Sequence, residues 1–140
     1  MDIVLDFLRK EEVNSLSELM KNAFSIDIDV NNVLKCFDFE NIRFLCAKVG
    51  NVIAGTIMIT SDYDPIKNVK SFYLDYVSVH SDYQNQKIGR KLMLEVEKIA
   101  QEEGISFIEF TSSSKRIYAR KLYLSLGYEM RDTGVFIKRI

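Results

Sequence analysis

Apolar and polar positions follow two rhythms along this chain, and each rhythm predicts a different kind of element. Residues 12–24 set Val13, Leu16, Leu19, Met20 and Phe24 on one helical face, with polar residues between them. A second, shorter helical stretch at 30–39 carries Val30, Val33, Leu34 and Phe37. Residues 3–8 read as a first strand. From Phe44 to Val49 and from Val52 to Ile59 two apolar runs flank the pair Gly50-Asn51, which tolerates positive φ, and predict a hairpin. A polar loop is expected at 61–70. Aromatic and β-branched residues make 72–79 a strong strand.

The second half repeats the alternation. Residues 87–103 carry Ile88, Leu92, Val96, Ile99 and Ala100 at helical spacing, and Gly104 ends the run. Residues 105–111 predict a buried strand. Ser113 or Ser114 is expected to cap a helix that reaches Leu126 and stops at Gly127. Two short strands, about 128–131 and 134–139, complete the expected order. The strand–helix–strand unit at 72–111 requires a parallel pair with a right-handed crossover. The fold class is therefore α/β with a mixed, mostly antiparallel sheet, one parallel strand pair and helices on both faces.

Composition narrows the function classes. A chain of 140 residues is one domain, and it buries enough surface to need no disulfide or metal staple. Its formal net charge of −1 gives no general reason to bind nucleic acid or an anionic membrane. Cys36 and Cys46 sit in apolar surroundings and read as buried free thiols, which suits a reducing cytoplasm. No Cys/His cluster has zinc spacing, and His80 is the only histidine. No long apolar run or basic-then-apolar leader is visible, so a cytoplasmic location is expected.

Chemistry concentrates at one junction, Val77-Ser78-Val79-His80-Ser81-Asp82-Tyr83-Gln84-Asn85-Gln86-Lys87-Ile88-Gly89-Arg90-Lys91-Leu92. A strand ends, a polar loop follows, and a long helix begins near Lys87. The first turn of such a helix presents unpaired N–H groups at the positive end of its dipole, where phosphate binds well. Gly89 permits close approach of a bulky anion, and Arg90 and Lys91 add charge. Gly89 as a packing glycine beside a solvated basic face is the competing reading.

Gln84 and Gly89, in the spacing Gln/Arg-x-x-Gly-x-Gly/Ala between a strand and a helix, resemble the acetyl-coenzyme A fingerprint of the GCN5-related N-acetyltransferases. Lys87 stands where that fingerprint has its first glycine, and Asn85 replaces another glycine common in these loops. Arg116-x-x-Ala119-x-x-Leu122-Tyr123-x-x-x-Gly127-Tyr128 resembles the family's late helix, and the element order agrees over nearly the whole chain. The resemblance implies a single N-acetyltransferase domain over 1–140 with acetyl-coenzyme A as cosubstrate and an amine as acceptor. It implies that backbone groups of Val77 and Val79 pair with the pantetheine arm. It further implies that the N–H groups of Asn85, Gln86, Lys87, Ile88, Gly89 and Arg90 hold the pyrophosphate, with Gln84 also in the cofactor site. Arg116 and Ala119 would close the cofactor site.

An amine of pKa about 10.4 is protonated at neutral pH, so acetyl transfer needs an exit for that proton, an oxyanion site and an acid for the departing thiolate. Period-two alternation puts Asp75 on the face of Val77 and Val79. A carboxylate here resembles the position where several family members carry a glutamate as base or amine anchor; a solvated or salt-bridged strand residue is the alternative. Tyr123 is the second catalytic candidate, since the resemblance places its hydroxyl near the coenzyme sulfur; a core tyrosine is the alternative. The acceptor site is expected between residues 20–40 and the loop at 61–70. There Asp27, Asp29, Asp38, Glu40, Asp62 and Asp64 would suit a cationic substrate or be ordinary solvated charges. A non-catalytic acyl-coenzyme A binding module and an interaction domain of the same fold remain open, as does a homodimer.

Overall fold

The computed structural model describes residues 2–140. Five strands lie in sequence order, β1 (Val4–Phe7), β2 (Ile42–Val49), β3 (Val52–Asp64), β4 (Val69–Val79) and β5 (Phe107–Glu109). All neighbours are antiparallel except β4 and β5, which run parallel through the crossover helix α3 (Ile88–Glu102). Helices α1 (Val13–Phe24) and α2 (Val30–Leu34) cover one face. On the other face lie α3 and α4 (Ile117–Ser125). The expected fold class is the observed one.

Each face is glued by the stripe its helix carries. Val13, Leu16, Leu19 and Met20 of α1 pack with Cys46 and Ile53. Ile88, Leu92, Met93, Val96, Ile99 and Ala100 of α3 pack on Leu45, Ile57, Ile59, Phe72 and Leu74. Burying such a side chain fully contributes about 1.5–3 kcal/mol, so these stripes fix the helices on the sheet. Where α3 starts, β3 carries Gly55, which pairs with Val79 at the end of β4. A Cβ at Gly55 would stand 2.9 Å from the Ser78 carbonyl and 3.0 and 3.1 Å from Ile88 and Leu92. Only a residue without a side chain lets the first turns of α3 settle this close to the sheet.

Five expectations need correction. Residues 61–70 are not a loop throughout: β3 and β4 stay paired out to Asp64 and Val69, leaving a turn at 65–68. There Asp64 Oδ1 accepts from the Ile66 and Lys67 N–H groups. The strand expected at 105–111 pairs only over Phe107–Glu109, opposite Ser71, Phe72 and Tyr73. No serine caps α4, because Ser113 closes a tight turn ahead of it, its carbonyl accepting from Arg116 N–H at 3.1 Å and its Oγ from Lys115 N–H at 3.2 Å. Residues 128–140 form no strand; β5 is too short to template one, and Phe136 is 99% exposed.

The fifth correction concerns Asp75. Tyr76 has φ +54, and β4 holds one residue more than β3 between the pairs Met58↔Asp75 and Thr56↔Ser78. This bulge resets the alternation. Phe72 and Leu74 before it, and Val77 and Val79 after it, all pack on the α3 side. Asp75 and Ser78 face the opposite side, that of α1, with their partners Met58 and Thr56. Period two across an uninterrupted strand does not hold here.

Gly55→Ala is expected to destabilise the fold by about 1–3 kcal/mol, because Ser78, Ile88 and Leu92 must move apart to admit the methyl group. Denaturant unfolding of the two proteins measures it. An unchanged midpoint would show that α3 has room to shift.

Candidate active site

Pairing between β4 and β5 ends at Tyr73↔Glu109, although β4 runs on to Val79. The last six residues of β4 therefore have no partner on their β5 side. Beside them opens a cleft of about 840 Å³. Its walls are the C-terminal end of α1 (Asn22, Ala23, Phe24), Val77, Ser78 and Val79 of β4, the loop after β4, and the first turns of α3 and α4.

Most residues singled out from the sequence line this cleft: Val77, Val79, Gln84, Asn85, Lys87, Ile88, Gly89, Arg90, Arg116, Ala119 and Tyr123. Gln86 and Asp75 do not line it. The loop is wound tightly, with Asn85 at φ +64 and Lys87, the N-cap of α3, at φ +60 and ψ +26. Left-handed residues between extended or helical ones turn successive N–H groups into a concave anion nest. The first N–H of α3 with a helical partner is that of Lys91, which donates to the Lys87 carbonyl at 3.0 Å. Those of Ile88, Gly89 and Arg90 precede it at the open end. A Cβ on Gly89 would meet Leu122 at an ordinary 3.5 Å, so packing does not demand glycine there.

Side chains brace this arrangement. Gln84 Nε2 donates to the Val79 carbonyl at 2.9 Å and ties the loop to the strand it leaves. Arg116 Nη2 donates to the Val77 carbonyl at 3.3 Å across the gap. Arg120 donates to the carbonyls of Ser112 and Ser113 at 2.7 and 3.1 Å, fixing the chain between β5 and α4. Asn22 and Ser81 form a reciprocal pair: Asn22 Nδ2 donates to Ser81 Oγ at 2.8 Å, and Ser81 N–H donates to Asn22 Oδ1 at 2.9 Å. His80 is a loop residue whose Nδ1 accepts from Asp82 N–H.

Tyr123 is buried, its ring packed edge-to-face on Phe110 at 4.6 Å and on Tyr128 at 6.4 Å. Burial pushes its hydroxyl above the ordinary tyrosine range, with the Arg116 cation opposing, so the group is a protonated donor at neutral pH. Asp75 is also raised by burial, and among the described residues no cation lies within ion-pair distance of it.

Asn22 and Phe24 line the cleft from the 20–40 stretch expected to build the acceptor site, whereas no residue of 61–70 lines it; Lys115 and Tyr118 line it and had escaped sequence reasoning. The acidic residues expected to attract the acceptor do not line it. Asp27 pairs with Lys21 at 2.9 Å, Asp29 accepts from Asn31 N–H at the start of α2, and Asp64 holds its turn.

A parallel strand pair that parts above a helix N-terminus, with a buried tyrosine across the gap, defines the N-acyltransferase class of fold. Residues 4–128 match the model of the Acetyltransferase (GNAT) family, and the chain belongs to that family. It is 26% identical over 107 residues to N-acetyltransferase 8F1 of Rattus norvegicus, covering 76% of this chain and 48% of that protein. It is 27% identical over 109 residues to N-acetyltransferase 8B of Homo sapiens, covering 77% of this chain and 48% of that one. The chain thus spans about half the length of these curated relatives. Among solved structures it resembles a ribosomal-protein-alanine N-acetyltransferase from Brucella melitensis biovar Abortus, with a TM-score of 0.83 at 16% identity over 99% of this chain and 100% of that one. An aminoglycoside acetyltransferase from an uncultured soil metagenomic sample superposes with a TM-score of 0.85 at 18% identity, over 99% of this chain and 95% of that one.

Two stability effects follow from the site. Lys87→Gly relieves a left-handed lysine, about 1–2 kcal/mol, against a backbone-entropy cost of about 0.5–1 kcal/mol, so thermal unfolding should show the ligand-free protein unchanged or slightly stabilised. A clear loss of stability would mean that the lysine side chain makes contacts worth more than the strain. For Asp75 the folded-state pKa lies above the unfolded one, so ionisation weakens folding as pH rises through the carboxylate range. Asp75→Asn should therefore raise Tm at pH 7, and the gain should vanish below about pH 4. A Tm gap that does not depend on pH would refute this.

Proposed function

We propose that this chain is an acetyl-coenzyme A-dependent N-acetyltransferase. The observation that carries the reading is the unpaired end of β4 leading through an N–H-lined nest into the first turn of α3. An extended acyl-pantetheine arm fits such a strand edge by adding a strand, and its pyrophosphate fits the nest. Lys87 and Arg90 at that end, with Lys115 and Arg116 just ahead of α4, supply positive charge along the cleft. A carbonyl has two lone pairs, so the bonds from Gln84 and Arg116 leave Val79 and Val77 able to accept another.

The reaction moves two protons. The acceptor ammonium loses one through water to Asp75, which faces away from the cleft-lining valines and so acts at one remove. The free amine attacks the thioester carbon, and backbone N–H groups along the unpaired stretch of β4 are the available donors to the oxyanion. The C–S bond then breaks and the Tyr123 hydroxyl gives its proton to the thiolate, while the second proton leaves the new amide nitrogen through water and restores the hydroxyl. A tyrosine hydroxyl is protonated at neutral pH, and burial raises it further, so the proton is present when the thiolate forms.

Cys36, half-buried, and Cys46, buried, are free thiols, which suits a reducing cytoplasm. Among the described residues no helix is long and apolar enough to cross a membrane. Val135, Phe136 and Ile137 stand in solvent and support a homodimer as the assembled form.

Millimolar acetyl-coenzyme A should raise Tm by mass action, and release of coenzyme A with an amine present should follow by thiol detection. No shift at that concentration would overturn the reading. Tyr123→Phe should lower kcat roughly ten- to a thousand-fold with cofactor affinity nearly unchanged, as for a group acting in the transition state. An unaltered kcat would leave Tyr123 a packing residue. Lys87→Gly should weaken acetyl-coenzyme A binding at low salt, with the gap closing at high salt. Tighter binding by the variant would show that the lysine is merely tolerated.

A further inference from the structure

The α1 wall of the cleft is built differently from its N–H-lined nest. Phe24, the last residue of α1, lines the cleft and meets the Tyr76 ring edge-to-face at 5.6 Å and 80°. Tyr76 sits on the bulge at φ +54 and is 45% exposed. A left-handed tyrosine costs about 1–2 kcal/mol, and that backbone turns its ring out of the strand and onto Phe24. Alpha1 stops there because Ser25 turns left-handed and Ile26 N–H reaches back to the Met20 carbonyl. Among the described residues the carbonyls of Asn22, Ala23 and Phe24 receive no donor. These form the negative end of a twelve-residue helix beside an aromatic pair.

Charge around the cleft decides between kinds of amine. No carboxylate lines it, whereas Lys87, Arg90, Lys115 and Arg116 do. One ammonium finds carbonyl oxygens and a ring face at the Phe24 end. A second or third ammonium on the same molecule would lie toward the cations with no acid to meet it. The six acidic residues that might have drawn a polycation are elsewhere.

We infer that the acceptor is a monoamine bearing an aromatic or similarly flat apolar group, its ring against Phe24 and Tyr76 and its nitrogen at the C-terminal end of α1. This rests on the acetyl-transfer reading and names the substrate class of that same site. Polyamines and aminoglycosides are poor acceptors on this view, although an aminoglycoside enzyme shares the fold.

Calorimetric titration of the full chain, saturated with coenzyme A, tests it with three probes: phenethylamine, ethylamine and spermidine. Phenethylamine should bind at least ten-fold tighter than ethylamine, and spermidine no tighter than ethylamine. Phe24→Ala should erase the phenethylamine advantage, while Phe24→Tyr should keep it. The thermal shift with coenzyme A, measured on each variant, shows that the fold and cofactor site persist. Equal affinities for all three amines, or tighter spermidine, would overturn the substrate class while a retained coenzyme A shift leaves the acetyl-transfer reading standing. A missing coenzyme A shift in the unaltered chain would overturn both.

Discussion

Three residue pairs join β4 to β5, and the end of that pairing at Tyr73↔Glu109 is the constraint from which the rest of the site follows. Parallel strands that stayed together would satisfy each other's backbone groups and leave nothing for a ligand to bind. Two features keep them apart here. Phe110, immediately after β5, is drawn into an aromatic cluster with Tyr123 and Tyr128, so the chain leaves the sheet toward α4. Arg120 then grips the carbonyls of Ser112 and Ser113, which holds the departing segment on α4. The gap is thus a product of core packing on one side. Polar backbone left open by it is tolerated because the cleft admits water or ligand.

The bulge at Tyr76 has the opposite character, since it redirects side chains while leaving the strand in place. One added residue lets Phe72, Leu74, Val77 and Val79 all reach the α3-side core. It also sends Asp75 and Ser78 to the α1 side and brings Tyr76 to Phe24. The carboxylate and the cleft valines therefore occupy different faces of the sheet. A partly desolvated carboxylate without a cation costs stability.

Legibility in the sequence tracked the range of the interactions involved. Helices α1 and α3 were readable because their stripes, and the glycine at 104, are local signals. The 84–90 fingerprint was readable for the same reason, all its parts lying in one loop and one helix turn. Features that depend on distant partners were not. Asn22 and Ser81 are 59 positions apart, and nothing in either neighbourhood announces their paired hydrogen bonds. The facing of Asp75 required knowing that β4 has one residue more than β3, a property of two strands together. Residues 128–140 have strand-like composition, yet strand formation needs a partner edge, and β5 offers three residues. Asp29 and Asp64 are taken up by N–H groups two or three positions along the chain, in a cap and a turn, before any substrate is involved.

Asn85 and Lys87 show how the site is held against local preference. Both occupy backbone conformations that favour glycine, and each adds a cost that the loop alone could not sustain. Strain of this kind persists only where the surroundings over-determine the chain. Here they do so from three directions. Gln84 anchors the loop to the Val79 carbonyl, and Ser81 is stapled to Asn22 on α1. Gly55 lets Ile88 and Leu92 seat α3 against the sheet directly after the strained residues. A chain fixed before and after a tight turn has few other paths between those points, so residues with side chains can be forced into it. The same anchors join α1, β4 and α3, whose ends are the walls of the cleft. The geometry of the N–H nest and the position of Phe24 are consequently set by one connected framework, and a change that loosened Asn22 or Gly55 would reach both.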